Sequence, residues 1–125
     1  MKTVEVVAAI IHQHGRILAT QRGYGEHKGM WEFPGGKMEM GETEEEAIVR
    51  EIHEELNVEI RVERKVCTVE YDYPKFHLVM HCFWCSIVKG ELELKEHQSA
   101  CWLEKTEWEN VDWLPADVEV LEQLG

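Results

Sequence analysis

Nine carboxylates fall between Glu39 and Glu59, against a single basic residue, Arg50. They are Glu39, Glu42, Glu44, Glu45, Glu46, Glu51, Glu54, Glu55 and Glu59, and nine minus one leaves eight of the chain's twelve net negative charges in about one sixth of its length. Like charge at this density repels itself, so the stretch is either a well-solvated surface or a site completed by cations. Thr43 followed three residues later by Glu46 is a capping box, which predicts a helix opening at about Glu44. Glu51, Glu54 and Glu55 then stand at i, i+3 and i+4, on one face of that helix. Oxygen ligands gathered this way suit a hard divalent cation, Mg²⁺ or Mn²⁺. Taken alone, the helix fits a solvated charged face equally well.

The elements that must carry these residues follow from periodicity. Ala47, Ile48, Val49, Ile52 and Leu56 give the acidic helix one apolar stripe, and Asn57 tolerates the left-handed conformation that ends a helix. Upstream, Val4 to Ile11 is nearly continuous in apolar residues, as expected of a mid-sheet strand covered on both faces, and His12-Gln13-His14-Gly15 turns it back into Arg16 to Arg22. Gly23 to Gly29 is a loop, Trp31 to Phe33 a short extended piece, and Pro34-Gly35-Gly36 a stop. Val62 to Tyr73 and Phe76 to Val88 form an antiparallel hairpin turning at Pro74-Lys75. An irregular Gly90 to Gln98 and a short strand at Ala100 to Leu103 come next. A last helix starts near Pro115, with Val118, Leu121 and Leu124 on its buried side. The order predicts the α/β class: one domain over residues 1–125, a mixed β-sheet between helices in an α/β/α sandwich.

Composition narrows the function classes. A net charge of −12 argues against stable duplex DNA binding or an anionic membrane partner, both of which reward Lys and Arg. No apolar run approaches the ~20 residues of a membrane span, and the N-terminus lacks signal-peptide form. Cys67, Cys82, Cys85 and Cys101 show no disulfide-framework pattern, which points to a reducing cytoplasm. Cys82 and Cys85 have C-x-x-C spacing, but in a strand i and i+3 point to opposite faces.

Gly36, five residues, Glu42, seven residues, then Arg50-Glu51-Ile52-x-Glu54-Glu55-x-Asn57-Val58 resembles the Nudix box, with Asn57 where the family has Gly. The likeness runs along nearly the whole chain, toward the MutT-type and CTP pyrophosphohydrolase-like members. It implies the Nudix fold. It further implies that Glu51, Glu54, Glu55 and the Gly36 carbonyl hold divalent ions, Mg²⁺ or Mn²⁺, on a phosphate chain. Arg50 is expected to orient a box glutamate while pointing away from the ligand face. Glu51 is the first candidate for general base and Glu54 the next; Glu96 stands where relatives carry a further metal or base glutamate. Glu42 is expected to brace the loop before the helix. Gly35 and Gly36 would let the backbone turn tightly, and Lys37 is either a phosphate contact or a surface counter-charge.

On the same resemblance, Arg22, His27, Glu32, Phe33, Pro34, Gly35 and Asp117 stand where MutT-type relatives read the base, with Asp117 in place of an Asn. An ionised Asp only accepts hydrogen bonds, so it would favour a base edge that presents donors, such as the cytosine amino group or the protonated N7 of an oxidised purine. Near Pro74 the MutT-type members carry an acidic and then a basic residue, where this chain has Lys75 and Phe76. Among the five tryptophans, Trp31 and Trp84 are the candidate base platforms. The expected activity is Mg²⁺-dependent hydrolysis of a nucleoside triphosphate to monophosphate and pyrophosphate, acting on oxidised or non-standard nucleotides such as 8-oxo-dGTP, or on (d)CTP. The protein would be a monomer or homodimer. Rival readings are hydrolysis of a nucleoside diphosphate sugar, dinucleotide or capped RNA, and a non-catalytic recognition domain.

Overall fold

The computed structural model describes all residues, 1–125. Its central strand is β1 (Lys2–Gln13), the apolar run of the sequence. Alternation along it explains why both faces are apolar. Val7, Ala9 and Ile11 enter one core cluster, while Ala8 and Ile10 enter another on the opposite face. The turn to β2 (Arg16–Arg22) is made by His14 and Gly15, both at positive φ (54° and 76°), as the tightest hairpin turns require.

Strand β3 (Trp31–Glu32) pairs with β2, and a further strand, β4 (Gly35–Lys37), pairs antiparallel with β1 through Val7↔Gly36 and Ala8↔Gly35. The expected stop at Gly35-Gly36 is therefore ladder. The glycines are there for closeness: a Cβ on Gly35 would lie 2.0 Å from the Val7 carbonyl oxygen. Next comes α1 (Glu44–Leu56), opened by the predicted box, in which Glu46 N–H donates to Thr43 Oγ1 (3.1 Å) and Thr43 N–H to Glu46 Oε1 (2.9 Å). It closes on Asn57 at φ 58°. Its stripe buries Ala47, Ile48, Ile52 and Leu56 against the Val7 face of the sheet, but Val49 is exposed and Glu55 is buried in its stead.

The long hairpin is β5 (Glu59–Tyr73) and β6 (Phe76–Lys89), with β6 also parallel to β1, so the sheet is mixed. Strand β7 (His97–Leu103) starts three residues earlier than expected and pairs with β2. A 3₁₀ turn at Lys105–Asn110, absent from the sequence reading, leads into α2 (Pro115–Leu124). Helix α2 buries Ala116, Asp117 and Val120, with Leu121 and Leu124 packed beside them. Val118, expected inside, faces solvent, because the buried side is set by the 3.6-residue spacing from Ala116 and Asp117. Helices thus cover both faces of a mixed sheet, the predicted α/β/α sandwich. Cys82 and Cys85 enter opposite clusters, as strand geometry demands.

Candidate functional site

A cavity of about 590 Å³ opens where β1, β4, α1, the start of β7 and the N-terminus of α2 meet. One end is acidic. Glu51, Glu55 and Glu96 line it together with Gly36 and Lys37. Glu51 and Glu55 share this end because residues four apart lie one turn above each other. Glu54, one position away, turns outward: its side chain is 57% exposed, against 16% for Glu51 and 10% for Glu55. The helix therefore delivers two carboxylates to the cavity and leaves the third on its rim.

Arg50 contradicts the expectation that it points away from this face. Its guanidinium forks onto Glu42 (2.6 and 2.9 Å), reaches Glu51 Oε1 (2.9 Å) and Glu54 Oε2 (3.3 Å), and donates to the Lys37 carbonyl (3.1 Å). The helix start allows this, since the loop ahead of Thr43 folds back and brings Glu42 and Lys37 under the arginine. Glu42, also accepting from Glu39 N–H (2.8 Å), does brace that loop, and its bonds to Arg50 hold its carboxyl down to about 2. Arg50 leaves Glu51 Oε2 free, lying against the Gly36 backbone where a Cβ would come within 2.2 Å of it.

Burial works the other way on the acidic end. It raises Glu51 above the ordinary carboxylate range despite Arg50, and pushes Glu55 up to about 9, with the Glu51, Glu96 and Glu32 charges adding to the push. Glu55 Oε1 is buried with no hydrogen-bond partner. A buried carboxylate oxygen among like charges is relieved either by a proton or by a cation. The donor set is all oxygen, which suits a hard divalent ion, so the residues fit the implied metal.

The other end is polar and aromatic. Arg22, Tyr24, Glu26, His27, Glu32 and Phe33 contribute from the β2–β3 side, Tyr73, Phe76, Leu78 and Met80 from the hairpin, and Leu114 and Asp117 from α2. Arg22 Nη1 donates to Glu32 Oε1 (3.1 Å), and Lys75 pairs with Glu26 (2.8 Å) across the mouth. Phe33 is core, 4.8 Å from the Trp113 ring, and its N–H donates to Asp117 Oδ1 (2.9 Å). Burial raises the Asp117 carboxyl well above its ordinary range, which works against the ionised acceptor expected from sequence, while Oδ1 accepts from Phe33 N–H. Pro34 is buried behind the cavity rather than on it, its carbonyl accepting from Ala9 N–H (2.8 Å). Trp31 and Trp84 do not line the cavity: Trp31 bridges to Trp113, and Trp84 sits edge-on to His12.

Sequence reasoning missed Tyr73 and His97, and singled out Phe76 only as a departure from the MutT-type members. His97 is buried between Glu32 and Glu55, and the signal for it was its adjacency to Glu96 at a strand start. Tyr73 packs face-on to Phe76 (5.2 Å), and its hydroxyl accepts from Ala116 N–H (3.2 Å), docking α2 on the hairpin tip.

Residues 6–123 match the family model described as the NUDIX domain, and the chain belongs to the Nudix family. Members generally use a divalent metal. The chain is 37% identical over 123 residues to a CTP pyrophosphohydrolase of Escherichia coli, covering 98% of this chain and 91% of that one. It is 32% identical over 126 residues to an 8-oxo-dGTP diphosphatase of the same organism, covering 99% and 98%. The crystal structure of a MutT Nudix hydrolase from Burkholderia pseudomallei superposes with a TM-score of 0.91 over 100% of both chains, at 26% identity. No helix is long and apolar enough to cross a membrane.

Proposed function

We propose that the protein hydrolyses a nucleoside triphosphate between the α and β phosphates, giving the monophosphate and pyrophosphate, and so removes oxidised or non-standard nucleotides in the cytoplasm. One observation carries this reading: a single cavity of about 590 Å³ joins a carboxylate cluster, in which the buried Glu55 Oε1 has no partner, to a polar, aromatic compartment. The relatives named above act on a cytosine and an oxidised guanine nucleotide, which supports the same substrate class here.

Glu51, Glu55 and the Gly36 carbonyl, with Glu54 and Glu96 at the rim, would hold the divalent cation, Mg²⁺ or Mn²⁺. When bound, that ion supplies charge neutralisation for the phosphates and Lewis acidity at phosphorus. Lys37 faces the same end and forms no ion pair, so its ammonium is available to a phosphate oxygen. Glu51 is best placed as general base, because Arg50 fixes one oxygen and leaves the other toward the cavity. Its raised affinity for a proton brings it nearer to neutral pH, where a base works best. Arg22 and Glu32 hold each other at the base compartment, whose wall includes Asp117, its carboxyl raised by burial. The test is turnover of a nucleotide panel in ¹⁸O-labelled water, with and without chelator. Label at the α phosphorus of the monophosphate is expected, and activity should vanish in chelator. Release of inorganic phosphate, or full turnover in chelator, would refute the reading.

A further inference from the structure

His97 is the buried titratable group at the cavity that the chemistry above does not use. Its side chain is 4% exposed, with Nε2 3.2 Å from Glu32 Oε2 and 3.9 Å from Glu55 Oε2. Nδ1 is buried and has no partner. A neutral imidazole carries one N–H, and the Nε2–H tautomer spends it on Glu32, while the alternative strands a donor. Arg22 already occupies Glu32 Oε1. Glu32 is thus held by both oxygens, one to Arg22 and one to His97, and Glu55 Oε2 approaches the same Nε2 edge of the imidazole.

Local structure puts His97 there for a reason. It pairs with Arg22 at the end of the β2–β7 ladder, just past a register shift between Gln21 and Arg22 that re-aims the strand. Gly23 lies so close that a Cβ would be 2.9 Å from the Glu96 carbonyl oxygen. The backbone leading to the nucleotide loop therefore fixes Glu96 and His97 directly.

We propose that His97 is a positioning residue: it holds Glu32 in its nucleotide-facing rotamer and sets its Nε2 edge between that carboxylate and Glu55, so that base recognition and the metal-side acids are set by one imidazole. Removing the ring lets Glu32 face the buried Glu55 carboxylate directly and frees Glu32 to rotate or admit water. The effect should fall on nucleotide binding, through Glu32.

This rests on the triphosphate reading, so the test combines turnover with two measurements that do not need it. His97→Leu keeps bulk and deletes the donor, whereas His97→Gln places an amide N–H near the Nε2 position. For the preferred triphosphate, KM should rise about tenfold in His97→Leu, the scale of one lost charge-assisted hydrogen bond, and His97→Gln should recover most of the loss. Combined with Glu32→Gln, His97→Leu should add little, because both act through the same contact. Calorimetric Kd for a non-hydrolysable α,β-methylene triphosphate should follow the same pattern, and nitrogen-detected NMR of the wild type should show the Nε2–H tautomer. Multiplying losses in the double variant, equal losses in Leu and Gln, a fall in kcat with KM unchanged, or the Nδ1–H tautomer would each overturn the proposal. Failure of the wild type to hydrolyse any triphosphate would instead reject the triphosphate reading, leaving binding and tautomer to judge His97.

Discussion

Glu55 should make the metal-free protein less stable as pH rises, and Glu55→Gln should abolish that dependence. In the folded chain burial and three neighbouring carboxylates push Glu55 up to about 9, from an ordinary value of 4.5. An acid whose folded pKa is raised gives its full contribution below the unfolded value and loses it as pH climbs through the folded one. The window is therefore about pH 4.5 to 9, with a slope of at most ~1.4 kcal/mol per pH unit, one proton's worth. From pH 6.5 to 8.5 this comes to about 3 kcal/mol, or on the order of 10 °C in Tm for a chain of this size. Thermal unfolding in chelator, read at half-unit pH steps, gives the wild-type slope, and Glu55→Gln should be flatter by that amount. The same proton must leave when Mg²⁺ binds, so calorimetric titration in two buffers of different ionisation enthalpy at pH 7.5 should report about one proton released. The Gln variant should release almost none. Parallel Tm curves for the two proteins, together with metal binding that releases no proton, would show that Glu55 is already ionised and that the burial argument is wrong.

Three further outcomes separate structural from chemical roles. Gly36→Ala sets a Cβ 2.2 Å from Glu51 Oε2, a movable side-chain end, so the fold should survive with kcat reduced about a hundredfold, whereas Gly35→Ala strikes the Val7 carbonyl at 2.0 Å and should cost about 3 kcal/mol in denaturant unfolding. Arg50→Lys cannot fork onto Glu42 while reaching Glu51, and kcat should drop tenfold or more (about the cost of one misplaced catalytic group) with KM changed less. Asp117→Asn, which keeps the shape and the acceptor for Phe33 N–H, should keep nucleotide preference within about threefold, while Asp117→Ala leaves Phe33 N–H unpaired and should cost about 1–3 kcal/mol of stability and the selectivity with it. A shift of preference beyond tenfold in Asp117→Asn would mean that Asp117 works ionised.

The bounds of the acidic helix were legible because their signals are local: Thr43 and Glu46 cap it, Asn57 ends it, and spacing alone puts Glu51 above Glu55. The mid-sheet strand was equally readable, since an apolar run without alternation fits little else. What could not be read depends on contacts distant in sequence. Whether Gly35-Gly36 turns or pairs is decided by Val7 and Ala8, and which face of α2 is buried is decided by the hairpin it docks on. Arg50 was misplaced because its partner Glu42 lies in a loop whose path no periodicity describes. The burial of Asp117, which raises its carboxyl, could not be read because burial is a property of the assembled molecule. His97 escaped for the same reason: its meaning lies in Glu32 and Glu55, 65 and 42 residues away.

The pairing of β1 with β6 has a consequence for how the chain comes to be folded. Lys2 aligns with Phe76 and Ile11 with Cys85, so β1 waits during synthesis for its parallel neighbour until the chain has been made through Phe76 and beyond. During that interval β1, apolar on both faces, has only the short β2 hairpin and later β4 and α1 to cover it. Parallel pairing across such a separation is slow, and exposed strand edges are where chains find the wrong partner. The clustered glutamates that follow within the next fifty residues carry strong negative charge into the same nascent segment, and like charge discourages one unfinished chain from joining another. An acidic stretch placed between β1 and its late partner thus bears on solubility during synthesis as well as on the finished site.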